Sequence, residues 1–189
     1  MATTQKSLKT PLRYPGGKSR AMKFLGAHFP QHVDSYVEPF LGGGSVALWV
    51  TQQYPNANIH VNDAYHPLYA FWYQLQEQGT EMRERLLDIK RTTEHSEDAQ
   101  RELFHDAQKW MHDDRMDMFT LACAFYIANK CSFSGIGTSD RQTKISGLIP
   151  IDRNSLTECC VGLVFNSPED DRNGNSVKCT KIHELDFFS

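Results

Sequence analysis

Three consecutive glycines, Gly42 to Gly44, follow an apolar run, residues 36–41, that contains an acid and a proline. Glycine lets backbone N–H groups approach a ligand with no Cβ in the way. A second apolar run, residues 59–61, closes on Asn62 and Asp63 about 20 residues further on, where an acid commonly holds the hydroxyls of a ribose. This spacing predicts a nucleoside-cofactor site. The alternative is a plain βαβ unit in which Asp63 only caps the following helix.

A second glycine-rich stretch, Arg13-Tyr14-Pro15-Gly16-Gly17-Lys18-Ser19, lies near the N-terminus. The triplet from Gly17 to Ser19 suggests a P-loop. However, the P-loop pattern requires a glycine where Leu12 stands, and no strand is predicted before it. The loop could instead present backbone N–H groups and Lys18 to an anion at a helix N-terminus. A purely structural role, in which the glycines open a helix, is the alternative.

Residues 116–129 are almost continuously apolar, which predicts a helix buried on most sides. It leads into a polar, glycine-rich loop and then a segment that together carry Lys130, Arg141 and Lys144 against one acid, Asp140. A buried helix that delivers such a loop is a plausible DNA-contacting device. An ordinary surface loop is equally compatible with the sequence.

These segments lie within an alternation of strands and helices that is typical of an α/β protein. Strands are predicted at 36–40 and 59–61, with a helix at 46–53 between them. An aromatic-rich helix follows at 64–78, whose rings we assign to the core except Tyr65, and two charged helices follow at 80–112, broken near 92–96. Further short strands are predicted at 148–151, 161–165 and 181–188.

The composition narrows the class of protein. The chain has 189 residues, 40% of them hydrophobic, so we expect one domain or a domain with a small insert. It contains neither a long apolar segment nor a secretory signal, so no membrane partner is expected. Five cysteines without a Cys-x-x-Cys spacing argue against zinc and disulfides and favour a cytoplasmic location. We predict no metal site. The N-terminal 24 residues are basic, although the net charge is -3.

In this order along the chain, the motifs resemble those of the Dam-like, D12-class N6-adenine DNA methyltransferases. The segment 13–18 is similar to the family's N-terminal cofactor motif, residues 38–45 to its S-adenosylmethionine loop, and Asn62-Asp63 to its acidic ribose-binding position. The stretch 129–135 is similar to the Asn-Arg-containing part of the family's target-recognition insert, with lysine in place of the usual arginine.

The resemblance implies an α/β, Rossmann-like methyltransferase fold with an incomplete sheet and a helical recognition insert. The implied domains are a cofactor part at 1–79, the insert at 80–150 and a return segment at 151–189. The cofactor would be S-adenosyl-L-methionine, with Tyr14 on its adenine, Lys18 by its anionic end and Asp63 on its ribose. The implied cofactor-binding residues are Tyr14, Gly17, Lys18, Glu38, Pro39, Phe40, Gly42, Gly44, Ser45 and Asp63. The implied DNA-binding residues are Asn129, Lys130, Ser134, Arg141 and Lys144, and the partner is double-stranded DNA with a flipped adenine.

One feature of the family is missing from the sequence. The family's chemistry depends on an Asp-Pro-Pro-Tyr tetrapeptide, and no two of the eight prolines are adjacent. We therefore assign no catalytic residue. The leading hypothesis is an adenine methyltransferase represented by its cofactor half and recognition insert, with the remainder downstream or on a separate chain. An inactive remnant that binds the cofactor or DNA, for example from a phage, is the second hypothesis, and a P-loop NTPase is disfavoured.

Overall fold

The computed structural model describes residues 8–132 and 149–150 of the chain. Short strands and helices alternate in the first part, and a run of helices follows. The strands are β1 (Ser35–Glu38), β2 (Asn58–Val61) and β3 (Ile149–Pro150). The helices are α1 (Met22–Leu25), which continues into a 3-10 turn (Gly26–His28), α2 (Ser45–Gln53), α3 (His66–Glu77), α4 (Gly79–Thr93), α5 (Glu97–His112) and α6 (Met118–Cys131).

The sheet brings the ends of β1 and β2 side by side. The two strands are parallel, with Glu38 opposite Val61, and β3 is antiparallel to β2 on its other side. Beyond the last strand pair, the Asn62 N–H donates to the Glu38 carbonyl and the Leu41 N–H donates to the Asn62 carbonyl, each at 2.9 Å. Because parallel strands end at the same edge, the glycine turn and Asp63 become neighbours.

Local sequence accounts for where the helices begin. Pro67 occupies the first turn of α3, where its missing N–H is not needed. The Ser96 hydroxyl accepts the Ala99 N–H at the start of α5, and one Asp117 carboxylate oxygen accepts the first free N–H groups of α6. The break predicted near 92–96 is confirmed, because α4 ends at Thr93 and α5 starts at Glu97.

Helix α6 lies at the centre of the core. Every residue from Leu121 to Cys131 is buried, which confirms the predicted buried helix. The Phe71 ring of α3 stacks on the Tyr126 ring with centroids 5.8 Å apart. Apart from Met22, the buried hydrophobic residues form one cluster that includes Leu12 and Cys131. The helices of the predicted insert therefore share their core with the sheet. The domain boundaries predicted at residues 79 and 150 stay predictions.

The remaining expectations fall partly outside the described residues. The strand predicted at 148–151 is confirmed at residues 149–150, which form β3, and its two outer residues lie outside the described part. The strands predicted at 161–165 and 181–188 also lie outside it. In the described part, Cys123 and Cys131 are buried free thiols, and no helix there is long and apolar enough to span a bilayer.

Candidate cofactor site

The glycine turn between β1 and α2 is held in a conformation that requires glycine. Gly42 and Gly44 have φ values of 52° and 69°, in the left-handed region that side chains disfavour. A Cβ on Gly44 would lie 2.5 Å from the Trp72 ring. The Trp72 indole N–H also donates to the Gly42 carbonyl at 3.1 Å. Trp72 of α3 therefore holds the turn in place at both its first and its last glycine.

Asp63 connects the end of β2 to this turn. One carboxylate oxygen, Oδ2, accepts the Gly42 N–H at 2.9 Å. The other, Oδ1, accepts the Tyr65 N–H at 3.0 Å, at the N-cap of α3. Asp63 therefore supports the start of the following helix and closes the glycine turn as well. Each carboxylate oxygen can accept more than one hydrogen bond, so acceptor capacity remains for a ligand hydroxyl.

The N-terminal loop lies directly on the glycine turn. A Cβ on Gly42 would lie 3.0 Å from the Tyr14 ring, and one on Gly43 would lie 2.9 Å from the Tyr14 Cβ. The Lys18 backbone N–H donates to the Ser45 hydroxyl at 3.0 Å, and its ammonium donates to the Gly16 carbonyl. Burial, and secondarily the charge of Asp63, raise the pKa of Tyr14. Three segments that are distant in sequence thus meet at one place.

The carboxyl group of Glu38 is partly buried, with only part of its hydrogen-bonding capacity satisfied. Its Oε2 is buried and has no hydrogen-bond partner among the described residues, and the same holds for Asn62 Oδ1. Burial raises the pKa of Glu38 to about 7, while hydrogen bonds from the Tyr36 hydroxyl and the Ala47 N–H and the charge of Lys18 act in the opposite direction. The site therefore contains buried acceptors without donors, and the N–H or O–H groups of a ligand would supply those donors.

The start of α2 provides hydrogen-bond donors, in contrast to the acceptors of Glu38 and Asn62. Its N-cap residue, Gly44, has no side chain, and its first turn contains no acid, although the Ala47 N–H donates to the Glu38 carboxyl group. The first N–H groups of a helix lack intrahelical acceptors and attract negative charge. Phe40, next to the turn, exposes 78% of its surface, and Val37 of β1 exposes 53%. The site thus combines hydrogen-bond donors at a helix start with acceptors and apolar surface within a few residues.

The sequence also matches a known family. The model of the D12 class N6 adenine-specific DNA methyltransferases matches residues 14–155. The chain belongs to this family. The match begins at Tyr14 and includes all the elements that build the site. No curated protein matches the chain significantly. Members of the D12 family act on adenine in DNA and generally use S-adenosylmethionine.

In this member of the D12 family, the described candidates for DNA contact point inward. Asn129 exposes only 1% of its surface and Lys130 only 6%. The Lys130 ammonium lies 5.3 Å from the centre of the Tyr126 ring, and burial lowers the pKa of Lys130 to about 8, with a smaller effect from the charge of Arg13. Direct DNA contact by these two side chains stays a prediction that this conformation does not support. Ser134, Arg141 and Lys144 lie outside the described residues.

The structure adds residues to the D12 site that the sequence did not indicate. Trp72 was assigned to the core, and it is 98% buried, but its hydrogen bond to the glycine turn was not predicted. Sequence reasoning could have found this hydrogen bond only from the general rule that a buried indole N–H needs an acceptor. Asn62 was noted only as the neighbour of Asp63, yet its side-chain oxygen is buried beside the turn.

Proposed function

We propose that this D12 family member is an S-adenosylmethionine-dependent DNA adenine N6-methyltransferase, of which the described residues form the cofactor site and part of the recognition insert. The observation that carries this proposal is the convergence of the Tyr14 loop, the Gly42–Gly44 turn and Asp63 on one another. The parallel β1–α2–β2 unit, with its site at the carboxyl ends of the strands, supports a Rossmann-like arrangement.

The donor set fits the groups of S-adenosylmethionine. Glu38 would accept the N–H groups of its ammonium, and the start of α2 with Lys18 would attract its carboxylate. Asp63 would accept the ribose hydroxyls through its remaining lone pairs. Tyr14 and Phe40 would offer ring surfaces to the adenine. The remaining cofactor candidates would shape the backbone around the ligand. They are Gly17, Pro39, Gly42, Gly44 and Ser45.

The chemistry requires little from acids or bases. The cofactor, when bound, supplies an electrophilic methyl group on sulfur. The residues of this chain hold and orient the ligand and exclude water, so that proximity lowers the barrier. The acceptor is the N6 amino group of an adenine, which must leave the duplex to be reached. We propose double-stranded DNA as the partner and the basic segment containing Arg141 and Lys144 as its contact.

A thermal-shift comparison tests the cofactor assignment. S-adenosylmethionine and its demethylated product, S-adenosylhomocysteine, should raise the unfolding midpoint of the chain, because a ligand that binds only the folded state stabilises it. ATP with magnesium is the control for the P-loop alternative. A shift with ATP but with neither S-adenosyl compound would refute our proposal.

Binding and methyl transfer are separate measurements. The described contacts concern binding rather than transfer, so the second candidate function is a protein that binds cofactor or DNA without transferring the methyl group. Incubation with cofactor labelled in its methyl group and adenine-containing duplex DNA distinguishes the two. Label in the DNA indicates the enzyme, whereas ligand binding without label indicates the binding protein.

A further inference from the structure

Asn129 joins two parts of the chain that are 116 residues apart. Its side-chain oxygen accepts the Arg13 N–H at 3.1 Å, and its side-chain nitrogen donates to the Arg13 carbonyl at 2.7 Å. The amide thus pairs with both backbone groups of a single residue, as a neighbouring strand would. Because Asn129 is almost completely buried, these bonds are shielded from competition with water.

The segment that receives these bonds is anchored on one side by the buried side chains of Pro11 and Leu12. Around Arg13 the chain forms neither helix nor strand. Its local hydrogen bonds include Leu12 N–H to the Thr10 hydroxyl and Gly17 N–H to the Tyr14 carbonyl. Asn129 therefore attaches the loop to the best-packed helix of the core, one residue before Tyr14.

The position of Tyr14 tolerates little displacement. Its Cβ and ring already lie so close to Gly42 and Gly43 that an added Cβ would be 3.0 Å away or less. Gly42 is in turn bound to Asp63 and Trp72. A shift of Arg13 would therefore move the Tyr14 ring relative to the glycine turn, and small displacements of this kind have large effects on binding geometry.

We propose that Asn129 is a positioning residue of the cofactor site, which holds Arg13 and thereby keeps Tyr14 against the glycine turn. This role differs from the DNA contact that the sequence suggested for Asn129. Its effect on ligand affinity rests on the proposed function, whereas its effect on the loop does not.

The first test uses hydrogen exchange of the full chain without ligand. In Asn129→Ala, the Arg13 amide should exchange at least about tenfold faster than in the wild type, with faster exchange also across 41–46, because local opening controls exchange. The matched control is Gln100→Ala. Gln100 is a buried amide that donates to the Thr93 and Glu94 carbonyls, between α4 and α5. It should leave exchange at Arg13 unchanged.

The second test measures the affinity for S-adenosylhomocysteine by calorimetry. Asn129→Ala should weaken binding by about tenfold, whereas Gln100→Ala should stay within about twofold at a similar loss of unfolding midpoint. Equal affinities in both variants, or unchanged exchange at Arg13, would overturn the positioning role. If the wild type does not bind the compound, the proposed function fails, and the exchange result still decides the role of Asn129.

A conservative variant provides a pH-dependent rescue and covers the case in which Asn129→Ala does not fold. In Asn129→Asp the ionised carboxylate can accept the Arg13 N–H but cannot donate to the Arg13 carbonyl. Protonation restores that donor. The affinity of this variant relative to the wild type, and the protection of its Arg13 amide, should therefore both recover as the pH falls from 8 to 5. A ratio that stays low and constant across this range would contradict the proposed pair of hydrogen bonds.

Discussion

The Gly42 N–H donates to Asp63 Oδ2 at 2.9 Å, across 21 residues of sequence. This hydrogen bond joins the turn after β1 to the end of β2, and the second Asp63 oxygen fixes the start of α3 through Tyr65. A carboxylate that accepts two backbone N–H groups is both structural and available to a ligand, since its oxygens have further lone pairs. The stability of the site and its affinity for ligands should therefore depend on the same side chain.

Asp63→Ala should reduce both properties. Loss of two charge-assisted hydrogen bonds should lower the free energy of unfolding by about 1–3 kcal/mol, because the Gly42 and Tyr65 donors are left without their acceptor. Loss of a ribose acceptor should also weaken binding of S-adenosylhomocysteine by on the order of 1–3 kcal/mol. Denaturant unfolding and calorimetry measure the two effects separately.

Asp34→Ala is the control for this experiment. Asp34 pairs with His32 at 2.8 Å, but its side chain is 89% exposed, so its removal should change stability by less than about 0.5 kcal/mol. Unchanged affinity in Asp63→Ala would remove the ribose assignment. Unchanged stability would contradict the structural role of the hydrogen bonds.

Much of this site could be predicted from local sequence. Three glycines after an apolar run have few uses other than a tight turn, and the acid at the end of the next run falls beside it once the strands are parallel. The helices around α6 also follow from local periodicity and capping residues such as Asp117. These signals are short-range, so a sequence carries them directly.

The interactions that were not predicted depend on tertiary packing. A pattern that places Asn129 and Lys130 at the end of a buried helix does not indicate on which side of the helix each lies. The pairing of Asn129 with Arg13 across 116 residues leaves no local signature. Polar side chains before a glycine-rich loop were therefore assigned to DNA, which stays a prediction. The fold places Asn129 against the Arg13 backbone and Lys130 over the Tyr126 ring.

Gly44→Ala should be strongly destabilising. The new methyl group would lie 2.5 Å from the Trp72 ring, and the ring cannot move freely because its N–H is bound to the Gly42 carbonyl. Overpacking of this kind, added to the left-handed backbone, should cost about 2–4 kcal/mol in the free energy of unfolding. Denaturant titration measures the loss.

Gly16→Ala separates backbone strain from the steric clash. Gly16 has a φ of 75°, close to that of Gly44, but a Cβ there would meet no atom within 4 Å. This variant should lose only about 1–2 kcal/mol, the cost of a left-handed side chain. Equal losses in the two variants would mean that the Trp72 contact contributes nothing.

Glu38→Gln should change how stability depends on pH. Because the pKa of Glu38 is raised from 4.5 to about 7 in the folded chain, the folded chain keeps a proton that the unfolded chain has lost between these values. Stability contributed by this group therefore falls as the pH rises through that window and stays low above it. Glutamine does not titrate, so the variant should be about 1 kcal/mol more stable than the wild type at pH 8, a value reduced for partial exposure.

The same substitution should weaken ligand binding. An ionised carboxylate accepts hydrogen bonds from a cofactor ammonium more strongly than a neutral acid does. We therefore expect the affinity of the wild type for S-adenosylhomocysteine to increase between pH 6 and 8, and Glu38→Gln to show a smaller increase and a lower affinity at pH 8. Parallel pH profiles of the two proteins would exclude Glu38 as an ammonium acceptor.

Lys130→Met should stabilise the protein at neutral pH. Burial lowers the pKa of Lys130 from 10.5 to about 8, so below pH 8 the folded chain bears the full cost of a buried ammonium. The unfolded chain binds more protons between these two values, and stability therefore rises with pH across that window. The cation–π contact with Tyr126 offsets up to about 2 kcal/mol of the cost.

Methionine has a similar length and no charge, so we expect Lys130→Met to raise the free energy of unfolding at pH 7 by roughly 1–2 kcal/mol. The gain should shrink toward pH 10, where the lysine of the folded wild type is neutral. Lys109→Met is the matched control, because Lys109 is 76% exposed and pairs with Asp106 at 2.9 Å, and its loss should change stability by less than about 1 kcal/mol. A loss of stability in Lys130→Met at pH 7 would mean that the contact with the Tyr126 ring outweighs the cost of burying the charge.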